Sequence, residues 1–169
     1  MTSTARSDEF ISVLDRHKGI IHKIAHAYAR DAGTREDLTQ EIVLQLWKSF
    51  GNYDPQFRHS TWIYKVSLNV SLAFSRKEHN RAKRFAPLRE DLVHLSASGE
   101  PTDLQTNFRH LERFIHELKP LDRAILLLYL DQKTHREMAA IIGTTETNIS
   151  TRINRIKTTL KQKFSQLEP

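Results

Sequence analysis

Apolar residues recur at intervals of three and four along most of the chain, and strict apolar–polar alternation is nearly absent. The first spacing lays an apolar stripe along a helix, whereas a half-buried strand needs alternation. Ile11, Leu14, Ile20, Ile21 and Ile24 mark a first helix over about residues 8–31. Leu38, Ile42, Leu44, Leu46 and Trp47 mark a second that reaches Phe50. Thr34 and Asp37 stand at the capping-box distance before it, with Asp in place of the usual Glu. Gly51-Asn52-Tyr53-Asp54-Pro55 is turn chemistry and ends that helix. Ser60 is then expected to cap a third long helix through Ile63, Val66, Val70 and Phe74, running past Arg81.

Residues 86–106 differ in character. Two prolines, Pro87 and Pro101, flank Ser96-Ala97-Ser98-Gly99 and a cluster of acids, which is linker composition. The helical pattern returns at Asn107 with Leu111, Phe114, Ile115 and Leu118, breaks at Lys119-Pro120, and resumes from Leu121 to about Leu130. The expected fold is therefore all-α, with two small helical domains over 1–85 and 107–169 joined by a flexible linker over 86–106.

Residues 134–160 carry the sharpest local signal, that of a helix-turn-helix. Thr134 and Glu137 form a capping box. Ala139, Gly143 and Ile149 have the spacing of two helices crossing closely: small Ala permits the approach, Gly allows a left-handed turn, and Ile fills the gap. The following helix turns Ile149, Ile153, Ile156 and Leu160 inward. Its other side offers Thr147, Ser150, Thr151, Arg152, Asn154, Arg155 and Lys157, and no acid occurs between Asn148 and Lys163. Hydroxyls, Asn and Arg suit the major groove of duplex DNA, where Arg reads guanine, Asn reads adenine and Lys holds phosphate.

Charge agrees with this. The net charge of +6 is distributed as two basic ends around an acidic middle, which suggests two polyanion-binding surfaces on a tether. With 38% hydrophobic and 27% charged residues a packed core is expected. The polar N-terminus does not read as a signal peptide, and no apolar run is long enough to span a bilayer, so no membrane insertion is expected. The absence of cysteine excludes disulfides and cysteine catalysis and fits a cytoplasmic protein.

Several segments together resemble the extracytoplasmic-function (ECF) sigma factors of bacterial RNA polymerase. The helices over 107–164, ending in Thr147 through Lys157, look like the family's region 4. Asp37-Leu38-Thr39-Gln40-Glu41-Ile42-Val43-Leu44-Gln45-Leu46-Trp47 resembles region 2.2, and the run from Phe57 to Asn69 resembles regions 2.3 and 2.4. The resemblance implies a sigma factor that directs core polymerase to promoters, with partners at the β′ clamp and β flap. It also implies promoter DNA in duplex and single-stranded form, and an anti-sigma factor. Asp37, Gln40, Glu41 and Trp47 would bind core polymerase, combining acceptors with an aromatic anchor.

Tyr53, Phe57, Trp62, Tyr64, Lys65, Asn69, Arg76 and Lys77 would hold the unpaired minus-ten strand, which needs aromatic faces and polar groups beside cations. The residues on that acid-free face would read the duplex minus-thirty-five element. Housekeeping relatives carry a Trp pair where this chain has Trp62-Ile63, which implies weaker DNA melting. The acids of the linker, Glu90, Asp91, Glu100 and Asp103, would mimic nucleic acid in the polymerase channel.

No phosphate-binding glycine loop, nucleophile elbow or carboxylate dyad is present, so no enzyme and no cofactor is expected. His22 and His26 have a metal-compatible spacing without a third ligand and read as surface. From the residues alone an autonomous helix-turn-helix regulator, a helical metalloenzyme or a protein-interaction adaptor stays open. The first would bind duplex DNA without polymerase, the second would carry metal, and the third would lack salt-sensitive DNA affinity.

Overall fold

The computed structural model describes residues 3–84 and 103–167, and every regular element among them is helical. The helices are α1 (Ser3–Tyr28), α2 (Ala32–Phe50), α3 (His59–Arg84), α4 (Asp103–Glu117), α5 (Pro120–Leu130), α6 (His135–Ile142) and α7 (Glu146–Ser165). The all-α expectation holds. Several limits shift because local capping chemistry competes. Asp31, not Thr34, caps α2: it is extended (ψ 157°) and its carboxylate accepts the Thr34 N–H at 2.8 Å. Hydrogen bonding from the Thr34 side chain and backbone holds the Asp31 carboxyl below its ordinary pKa. The third helix begins one residue before Ser60, with the Trp62 N–H bonded to the Arg58 carbonyl at 3.2 Å. α4 starts at Asp103, inside the stretch expected to be linker, while Glu90, Asp91 and Glu100 lie outside the described residues.

α1, α2 and α3 pack as one bundle around Phe10, Ile24, Leu38, Ile42, Leu46, Ile63 and Leu68. Burying such side chains supplies roughly 1.5–3 kcal/mol each against the chain's lost entropy. The second bundle closes α5, α6 and α7 around Ile125, Leu128, Met138, Ile149, Ile153 and Ile156, with α4 laid against α7. Its helix-turn-helix is built as its sequence implies. The Thr134 hydroxyl accepts the Glu137 N–H and the Glu137 carboxylate accepts the Thr134 N–H. Gly143 takes φ 81°, and the N–H groups of Gly143 and Thr144 both bond the Ala139 carbonyl. Thr145 then caps α7 by accepting the Asn148 N–H at 3.2 Å.

The two bundles lie directly against each other. α1 meets α4 and α5, and α3 meets α5 and α6. Arg123 is the hub of this seam, 8% exposed. Its guanidinium donates to the carbonyls of Ile115, His116 and Leu118 at the end of α4, and across the seam to Ala27 at 3.0 Å. It also lies 5.1 Å from the centre of the Tyr28 ring, and the Tyr28 hydroxyl donates to Pro120 at 2.6 Å. Helix C-termini expose unpaired carbonyls, so one five-donor fork can bind two helix ends at once. Farther along, Lys23 pairs with Asp131 and donates to the Tyr64 hydroxyl at 3.0 Å, and Lys133 covers the Tyr64 ring.

Candidate nucleic-acid interface

α7 presents its polar residues in two neighbouring rows. Thr147, Thr151, Asn154 and Arg155 are exposed, at helical spacings that share one side. Ile149, Ile153 and Ile156 anchor the opposite side in the core, which fixes the rotation of the helix. Ser150 and Arg152 are half-buried at the edge. Arg152 is not a free cation: its Nη1 lies 2.7 Å from Asp122 of α5, and its Nε donates to the Asn148 Oδ1 at 2.9 Å. Lys157, exposed, holds its ammonium 4.5 Å from the centre of the Tyr129 ring. Asn148 belongs to this surface too, although only its tie to Arg152, a contact set by the fold, points to it.

The first bundle carries a different surface at the α2–α3 corner. Tyr53 stacks on His59 at 4.5 Å and tilts against Trp62 at 5.4 Å, and Trp62 leans on Phe50. The turn is closed by backbone bonds from Asn52 and Tyr53 to Ser49 and Phe50, and by Asp54, which accepts from Gln56 and Phe57. The Tyr53 hydroxyl donates to the Phe57 carbonyl, leaving the Phe57 ring 56% exposed. Trp62, Lys65, Asn69 and Arg76 follow one another at helical spacing along α3, the last three exposed and with Lys77 beside them. Aromatic edges therefore lead into a row of donors and cations, an arrangement on which bases stack while phosphates are held. His59 joins the cluster without having been flagged by spacing.

Tyr64 stands apart from that row. It is 1% exposed, under Lys23 and Lys133 in the seam, because it lies two positions from Trp62 and so on another side of α3. Ile63 is fully buried in the first core. The residue that follows Trp62 therefore points inward, away from the exposed row.

A third surface runs along α2, where Asp37, Gln40, Glu41 and Trp47 share an exposed face. Leu44 completes it at 44% exposure and lies between the acceptors and the Trp, although in the sequence it reads simply as part of an apolar stripe. Trp47 is 36% exposed, braced by Phe10 at 5.1 Å and by the Arg6 guanidinium at 5.2 Å. His22 and His26 are exposed on α1, and among the described residues no group of three metal-ligating side chains forms. None of the described helices is long and apolar enough to cross a membrane.

Two helical bundles, one ending in a helix-turn-helix and the other bearing an aromatic corner beside cations, define a DNA-binding protein of two parts. Residues 13–81 match the sigma-70 region 2 model and residues 108–160 the sigma-70 region 4 model. The chain belongs to the sigma-70 family of RNA polymerase sigma factors, which serve transcription initiation, and within it to the ECF group.

It is 23% identical over 170 residues to the ECF sigma factor SigW of Bacillus subtilis, covering 95% of this chain and 91% of that protein. It is 39% identical to SigK of a Mycobacterium species over 49 residues, a match that spans only 25% of that relative. In architecture it resembles RpoE from Bartonella quintana, solved with the anti-sigma factor NepR, at a TM-score of 0.70 and 18% identity over 94% of this chain and 96% of that one. CnrH, solved with the cytosolic domain of CnrY, gives 0.68 and 15% over 96% and 91%.

Proposed function

We propose that this chain docks on core RNA polymerase through the α2 face and reads a promoter at two places. Thr147, Ser150, Thr151, Arg152, Asn154, Arg155 and Lys157 face the minus-thirty-five duplex, with Arg152 acting largely through its neighbours. Tyr53, Phe57, Trp62, Lys65, Asn69, Arg76 and Lys77 receive the unpaired minus-ten strand. Asp37, Gln40, Glu41, Leu44 and Trp47 engage a polymerase surface, the β′ clamp in the resembling family. The observation that carries the proposal is the separation of chemistries: a helix with groove-reading groups and no acid from Asn148 to Lys163 on one bundle, and a stacking corner leading into cations on the other.

The closed seam adds a requirement. Elements centred about 25 base pairs apart are separated by roughly 85 Å at about 3.4 Å per base pair. A compact chain of this length has a radius of gyration of only about 15 Å. Polymerase must therefore part the two bundles and hold them at promoter spacing, so that two weak contacts act together. A partner of the anti-sigma kind, like the one bound to RpoE, would act by favouring the packed arrangement. Tyr64, sealed in the seam, reaches a strand only after that opening.

The test is transcription from genomic DNA by core polymerase with and without the chain, followed by start-site mapping. Start sites that appear only with the chain, and that share two spaced motifs, support the reading. Failure to bind core polymerase, or duplex binding by the chain alone at paired half-sites, refutes it.

A further inference from the structure

Asn148 sits at the third residue of α7, exposed, where the helix meets the proposed groove. Its Oδ1 lies 2.9 Å from the Arg152 Nε. An arginine N–H can only donate, so this bond requires the amide oxygen to face Arg152 and the amide NH2 to face away. Arg152 is itself fixed by Asp122 at 2.7 Å, and Asp122 is held in the first turn of α5, its side chain 13% exposed. The relay Asp122–Arg152–Asn148 thus sets the plane of an exposed amide from within the fold. A free Asn pairs with adenine by accepting from N6 and donating to N7 at once. Here one lone pair of the oxygen is taken by Arg152, and the charge of the adjacent guanidinium repels an amino group approaching the other. What remains outward is donor plus positive field, which suits an edge made only of acceptors, the O6 and N7 of guanine.

We infer that Asn148, oriented through Arg152 by Asp122, makes this chain select guanine over adenine at one base pair of the duplex element. The inference rests on the reading of α7 as the duplex-reading helix. Asn148 is a specificity residue, and Asp122 and Arg152 are positioning residues for it.

The experiment is core-dependent transcription from a promoter library randomised across the minus-thirty-five element, with sequencing of the transcripts' templates. The wild-type chain should prefer guanine over adenine by about tenfold at one position. Asn148→Ala should abolish that preference at that position and leave the others in place. Asp122→Asn, which keeps the side chain's shape but removes the charge that holds Arg152, should raise adenine usage at the same position by several-fold. A merely structural role for Asp122 would instead weaken all positions together. Wild-type transcription with adenine preferred there, or with preferences untouched in Asn148→Ala, overturns the inference while leaving the proposed function standing. No chain-dependent start site for the wild type would overturn the proposed function and this inference with it.

Discussion

Replacing Arg123 tests whether one buried cation joins the two bundles. Arg123→Met keeps much of the apolar stem and removes every donor. Hydrogen bonds from a charged group contribute about 1.5–3 kcal/mol each. The bond to Ala27 is buried and its carbonyl would be left without a partner. The three bonds to Ile115, His116 and Leu118 are partly buried, so water can replace them at a cost of roughly 0.5–1 kcal/mol each. Together these give a loss of roughly 3–6 kcal/mol, at the high end for a single substitution.

Urea unfolding should show the loss as a lower midpoint, and small-angle scattering should show a radius of gyration above the roughly 15 Å of the packed chain. Arg123→Lys retains the charge but lacks the fork, and should fall between. Tyr28→Phe deletes only the bond to Pro120 and should cost about 1 kcal/mol. An unfolding free energy for Arg123→Met within about 1 kcal/mol of wild type, with unchanged scattering, would show that the guanidinium does not hold the seam.

Trp47→Ala removes the aromatic from the α2 face and should weaken core-polymerase binding by 2 kcal/mol or more, roughly thirtyfold, in a pull-down titration. Its half-exposed position limits the accompanying stability loss, which circular dichroism will measure. Gly143→Ala meets no atom within 4 Å, so its cost, about 1 kcal/mol in a thermal melt, comes entirely from a side chain forced to φ 81°. Ile63→Trp should destabilise the first bundle by about 1–3 kcal/mol through overpacking, visible as a lower Tm, because Ile63 is fully buried.

Burial, followed by Arg123, Arg30, Arg35 and His26, pushes the His116 pKa down from 6.5 to about 4. The unfolded chain thus takes up this proton first, so stability is lost as pH falls from 6.5 toward 4. The ring remains partly open to solvent, so screening reduces the effect to roughly 1 kcal/mol. His116→Gln should remove that part of the pH dependence in urea titrations, and an unchanged slope would contradict it.

The helices, the capping box of Thr134 and Glu137, the left-handed Gly143 and the inward row of α7 were legible in the chain, because each depends on residues within a turn or two of one another. The same locality explains why the polar face of α7 could be proposed from spacing, whereas the row on α3 and the face of α2 were implied by resemblance to the sigma factors. It also explains the errors of detail: Asp31 displaced Thr34 as a cap by a competition between neighbours that pattern alone does not rank. What the tertiary structure decided was which polar groups are already occupied. Tyr64 is drawn into the seam by Lys23, and Lys23 meets Asp131 from 108 positions away. Arg152 is turned from a groove-reading cation into a brace by Asp122, 30 positions away. Periodicity reports which side of a helix faces inward, but a charge finds its partner only when distant segments meet, and that partner decides whether it is free to touch DNA.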